Sequence, residues 1–187
     1  KWYMENQANL GLGTSLVVAN NADIFITAPL DFTTCGMGKT VSFVSSQNIE
    51  VTSPIALPGN MILHLKAGIG SANPFTVTFT DPGFITATES SSVIIQYNPV
   101  ITAGAAHKYH SPAEHHRSIY PKTVLTAYML VNTCQDLQDI NYALSMNYAL
   151  SRDIDCGVGA FAPPARFKPL IAFYSVTGEP VTFSGAL

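Results

Sequence analysis

Charge is what this chain has least of. Only 11% of its 187 residues are Asp, Glu, Lys or Arg, well under the usual share of about 25%. The few cations are scattered and the formal net charge is −3, so the sequence offers no footprint for nucleic acid or an acidic membrane. No apolar run approaches the ~20 residues of a membrane-spanning helix. None of the cysteines, Cys35, Cys134 and Cys156, forms a CxxC pair, which removes the common zinc and thioredoxin-type spacings. There is no GxSxG elbow for a serine nucleophile. Acidic residues are few and mostly isolated, so nothing suggests the paired carboxylates of glycoside hydrolysis. Cys156 sits where a helix end is expected, and the dipole there disfavours a thiolate. The expectation is a protein without enzymatic activity and without a cofactor.

One segment imitates a phosphate-binding loop. CGMGKT (35–40) ends like G-x-x-x-x-G-K-[ST], but Thr33 stands where the first Gly belongs. That loop must also open a helix, whose N-terminal amides hold the phosphate. Here VSFVSSQNIEV follows and reads as strand, so a Gly-rich turn is the reading.

What the chain does have is apolar surface. Hydrophobic residues make up 47% of it, enough to offset chain entropy and exclude disorder. Ser, Thr, Asn and Gln take the place of the missing charge. Such neutral polar surfaces suit a protein that packs against copies of itself or works outside the cell. The length fits one domain, 1–187, and no linker divides it. The chain opens at Lys1 without the charged start, apolar run and small-residue site of a signal peptide, and both ends are expected to be packed.

From residue 8 to about 102, short strand-like runs alternate with turn residues. The runs are TSLVVA (14–19), DIFITA (23–28), TVSFV (40–44), NIEVTS (48–53), MILHLKA (61–67), FTVTFT (75–80) and SVIIQY (92–97). Val-, Ile-, Phe- and Thr-rich strands at that spacing predict an antiparallel β-sandwich or jelly roll. TVLTAYMLV (123–131) adds a long strand. One α-helix is then expected over about 134–152, capped by Thr133 with Asp136 in capping-box spacing. Its apolar stripe would be Cys134, Leu137, Ile140 or Asn141, Leu144 and Tyr148, and Gly157 would close it. A Cys134–Cys156 bridge would staple this region. NYALS occurs at 141–145 and 147–151, an offset that does not match the helical period, and reads as chance. A strand pair at 169–176 and 181–184 is expected to finish the domain.

Two segments carry the functional expectations. The loop at 103–120 holds His107, His110, His115 and His116, and imidazoles this close in sequence can bind a divalent metal or switch charge between about pH 5 and 8. The alternative is a solvated loop or one that packs at an interface, with Tyr109 among its contacts. His64, in mid-strand, reads as satisfied or solvent-facing. At the N-terminus, Leu10, Leu12, Leu16 and Val18 form an apolar comb of period two that can add to another subunit's sheet edge. Together these predict a structural subunit of an extracellular, cell-surface or virion assembly (a fibre, pilus or coat) whose partners are copies of itself. The alternative is a secreted monomeric module that binds carbohydrate or metal, with Trp2, Tyr3, Tyr97, Tyr109, Tyr120 and Tyr128 as candidate ring platforms.

Overall fold

The computed structural model describes residues 15–33, 38–99, 108–109 and 115–157. The chain coils. A first turn carries β1 (Ser15–Asn20), β2 (Ile24–Ile26) and β3 (Leu30–Asp31), and a second carries β4 (Thr40–Ser45), β5 (Ile49–Val51) and β6 (Ile55–Leu57). A third carries β7 (Ile62–Lys66), β8 (Val77–Phe79) and β9 (Ile85–Ala87), and a fourth β10 (Ser92–Tyr97) and β11 (Ile119–Tyr120). β12 (Leu125–Val131), the helix α1 (Cys134–Asp139) and β13 (Tyr148–Leu150) complete the described part.

Each turn lies on the one before, strand over matching strand. The result is a six-stranded sheet, β1-β4-β7-β10-β12-β13, a four-stranded sheet, β11-β9-β6-β3, and a three-stranded sheet, β2-β5-β8. Every described strand pairing is parallel. The expected antiparallel β-sandwich or jelly roll is therefore wrong. The architecture is a parallel β-helix, in which sequence neighbours occupy different sheets and each strand bonds to its counterpart one turn away. Alternation of apolar and polar residues reports that one face of a strand is covered. It does not report the direction of the neighbouring strand.

The core follows from register. Leu16, Val41, Leu63, Val93 and Leu125 stack in one inward column, and Val18, Phe43, Leu65, Ile95 and Ala127 in the next. The four-stranded sheet contributes Leu30, Ile55, Ile85 and Ile119 in register, and the three-stranded sheet Ile24, Ile49 and Val77. The members between the ends of the long columns are fully buried, each such side chain being worth roughly 1.5–3 kcal/mol.

Polar residues mark the corners. Asp23, Asn48 and Thr76 precede β2, β5 and β8, and they stack too. The Asn48 backbone N–H donates to Asp23 Oδ1 at 3.0 Å, and Thr76 N–H donates to Asn48 Oδ1 at 3.0 Å. The next corner is tight at Gly83, where an added Cβ would lie 1.9 Å from the Val51 carbonyl oxygen. Only glycine fits so close an approach of backbone to backbone.

The helix is the second correction. Thr133 caps it as expected, its hydroxyl accepting from Asp136 N–H at 3.0 Å, but it stops at Asp139 rather than near 152. A 3-10 turn, Ile140–Tyr142, follows, and the chain returns to lay β13 on Met129–Val131 of β12. The expected stripe is still buried or half-buried: Cys134, Ile140, Leu144 and Tyr148 lie in the core, and Leu137 packs against it. Burial was legible from the spacing, and the conformation was set by the pairing with β12. The Cys134–Cys156 bridge is present, with Cα atoms 5.5 Å apart.

Candidate functional site

The histidine loop lies mostly outside the described residues, as do His107 and His110. His115 and His116 open a 3-10 turn, His115–Ser118. Among the described residues no group of His, Cys, Asp or Glu is placed to hold a metal ion. Leu10 and Leu12 also fall outside the description. Leu16 and Val18 do not: they sit on β1 and point inward, packed against the core.

Lys108 and Tyr109, earlier in the histidine loop, are both buried and mark a polar point of the described interior. Lys108 Nζ lies 2.8 Å from Asp136 Oδ2, with both side chains nearly buried. The same carboxylate oxygen accepts from Asn132 N–H at 2.9 Å. Beside it, Tyr109 is buried in its own chain and donates its hydroxyl to the Leu130 carbonyl at 2.9 Å. Its ring meets that of Tyr148 edge-on, centroids 4.9 Å apart. Burial first, and the Asp136 charge second, push the Tyr109 phenol far above its ordinary value, so it stays a neutral donor. Asn132 donates to Asn98 Oδ1 at 2.6 Å, and Asn98 in turn to the carbonyls of Ser71 and Gly68. Removing one partner of a buried ion pair such as Lys108–Asp136 costs about 3–5 kcal/mol. This cluster pins the loop to β12 and α1, and the partners of Asp136 are internal.

The outward face of the six-stranded sheet is different. Its residues come from alternate positions: Val17 and Ala19, Ser42 and Val44, His64 and Lys66, Ile94 and Gln96, Thr126 and Tyr128, in register across β1, β4, β7, β10 and β12. No carboxylate stands among these positions, although the chain is acidic overall. Lys66 is their one formal cation. His64 is half-buried, and burial first, with the Lys66 charge second, lowers its pKa. At neutral pH it is an uncharged ring. In the sequence His64 and Tyr128 stand 64 positions apart. Nothing in it joined them, because only the parallel register brings residues this far apart in the chain onto one surface.

The edge of β1 is the third feature. In the described structure β1 pairs with β4 and with no other strand. Its column members Leu16 and Val18 are only half-buried, whereas Val41 and Phe43 behind them are fully buried. Val17, on its outward face, is 61% exposed. A shallow cavity of ≈ 340 Å³ lies at the end of this strand, lined in part by Ala19, Asn20, Val44 and Ile69. Comparison with protein families, with curated proteins and with solved structures gives no match in any of the three.

Proposed function

We propose that this chain is a structural subunit of an extracellular or virion assembly and associates with copies of itself through the edge of β1. The observation that carries this reading is the edge of the described core: a neutral strand, Ser15–Asn20, whose inward side chains are half-covered and which has no described partner on its outer edge. Soluble proteins usually blunt such edges with Lys, Pro or a bulge, and the terminal turns of a solenoid usually carry a polar cap. β1 contains no Lys, no Pro and no other charge.

Electrostatics favour a head-to-tail contact over a two-fold one. The first turn carries Asp23 and Asp31 and no cation among residues 15–33. Hydrogen bonds from the Thr33 hydroxyl, then from its backbone N–H, hold the Asp31 carboxyl below its ordinary pKa. At the opposite edge of the four-stranded sheet, β11 is flanked by exposed Arg117 and Lys122. Unlike charges at the two ends steer head-to-tail encounter, and heterologous contacts of that kind build rings or open filaments. The Cys134–Cys156 bridge fits an oxidising environment.

The test uses the geometry of the edge. The Asn20 carbonyl accepts from Ser46 N–H on the β4 side. Alternate residues of a parallel strand turn their backbone groups to opposite neighbours, which puts the Val17 N–H on the outer edge. Val17→Pro therefore removes an edge donor and leaves the β1–β4 bonds in place. Light scattering and negative-stain microscopy of the full chain should show assemblies for the parent and smaller particles for Val17→Pro at an unchanged urea midpoint. A monomeric parent, or assembly indifferent to Val17→Pro, overturns the proposal.

A further inference from the structure

Charge is scarce in this chain, at 11% of residues, yet an ammonium and a carboxylate meet inside it. The Lys108 and Asp136 side chains are only 8% and 12% exposed. Buried charge is costly, and passing one proton across the pair gives a neutral amine and a carboxylic acid. These are the two halves of an amide. Lys108 Nζ lies 2.8 Å from Asp136 Oδ2, and reacting groups held about 3–3.5 Å apart gain an effective concentration far above that of any solution. The surroundings fix both partners. Nζ also donates to the Leu130 carbonyl at 3.5 Å and stands 5.5 Å from the centre of the Tyr109 ring. Asp136 is anchored by its backbone N–H, which the Thr133 hydroxyl accepts. Asn132 N–H donates to Oδ2 at 2.9 Å, so a donor is already aimed at an oxygen that gains negative charge when the carboxyl carbon is attacked. Asp139, three residues on along α1 and also buried, brings a second carboxyl to the same side of the helix.

We propose that Lys108 and Asp136 condense into an intramolecular amide cross-link. The Nζ lone pair attacks Asp136 Cγ and forms the N–C bond. Oδ2 carries the negative charge of the tetrahedral intermediate against Asn132 N–H. The Cγ–Oδ1 bond then breaks, and Oδ1 leaves as water, with one proton from the acid and one from the nitrogen. The Asp139 carboxyl serves as the relay for the nitrogen's proton. Nothing is oxidised or reduced, and no co-reactant is needed. The product replaces two buried charges by one neutral group. It ties the 103–120 loop covalently to α1, which the Cys134–Cys156 bridge holds from another side, and unlike that bridge it survives a reductant.

The experiment is intact-mass spectrometry of the full chain after folding, then unfolded and fully reduced for the measurement. The parent should be lighter than its sequence by one water. Trypsin does not cut after an acylated lysine, so digestion should leave residues 67–117 uncut at Lys108 and joined to residues 123–152. Lys108→Arg keeps the cation, but a guanidinium that stays protonated has no lone pair to offer. That variant should show its full sequence mass, cleavage after position 108 and no branched peptide. A parent at full sequence mass overturns the proposal and leaves an ion pair. So does a water lost within an unbranched peptide, or lost equally from Lys108→Arg. Should Lys108→Arg fail to fold, the parent's mass and its branched peptide decide the matter by themselves. Val17→Pro should carry the same cross-link, so this proposal and self-association stand or fall separately.

Discussion

The pentapeptide NYALS appears twice within a dozen residues, and the two copies adopt opposite structures. In the first, Asn141 and Tyr142 end a 3-10 turn, and Ala143 N–H closes back on the Ile140 carbonyl at 2.9 Å. In the second, Tyr148–Leu150 is β13. Burial is inverted as well. Tyr142 is 60% exposed while Leu144 is buried; Tyr148 is fully buried while Leu150 is 56% exposed. The copies even touch, the Tyr148 hydroxyl donating to the Ala143 carbonyl at 2.7 Å. Identical local propensity cannot produce this. What differs is the neighbour: β12 offers Met129–Val131 to the second copy, and the first has to turn the chain around so that the second can reach it.

That contrast sets measurable expectations. Tyr148→Ala should break it most severely, costing about 3–5 kcal/mol as large core truncations do. The same truncation at Tyr142 should stay within about 0.5 kcal/mol, as exposed sites do. Urea midpoints of the two variants measured together check this, and equal losses would mean that the copies are not distinguished as described. Next comes the bridge that encloses both copies. Replacing Cys134 and Cys156 by Ser frees a loop of sequence separation 22 and should cost about 3 kcal/mol. Amide exchange should show β13 losing protection before β12.

The smallest effect appears at alkaline pH. Burial, and next the neighbouring Tyr97, hold the Tyr148 phenol well above its ordinary pKa, as burial does for Tyr109. Unfolded tyrosine ionises near pH 10, while the folded phenols stay protonated. The stability they contribute is thus fully present below about pH 10 and is lost as pH rises beyond it. Tyr148→Phe should flatten that alkaline fall, whatever it costs at neutral pH through the missing bond to Ala143. A slope equal to the parent's would show that Tyr148 ionises freely in the folded chain.

The same lesson explains what the sequence discloses. Each strand-like run before residue 102 contains a strand, and TVLTAYMLV contains β12, because apolar alternation is a local property. The sheets were not local. β1 bonds to β4 rather than to β2, with a whole turn of chain between. The signal for this was present in ITAPL (26–30), VTSPI (51–55) and FTDPGFI (79–85), where Thr-x-Pro follows an apolar strand and precedes another. These triplets form the same corner in successive turns, with Leu30 N–H donating to the Pro54 carbonyl and Ile55 N–H to the Phe84 carbonyl. A search for internal repeats finds such corners where a reading by strand spacing alone sees hairpin loops. The candidate surfaces were legible only in fragments. Val17 and Tyr128 can be named from the sequence, but the register that sets one at an edge and the other beside Gln96 cannot.

The successive partners Ser15, Thr40, Ile62 and Ser92 are unequally spaced along the chain. Their columns nevertheless stay aligned, because the surplus residues are spent at the corners. Such a molecule is extensible by whole coils: duplication of one turn supplies a new floor for the turn above and a new ceiling for the one below. Variation in length is then a change in the number of storeys, and Gly83, wedged against the Val51 carbonyl, marks a corner where the stairwell has no room to widen.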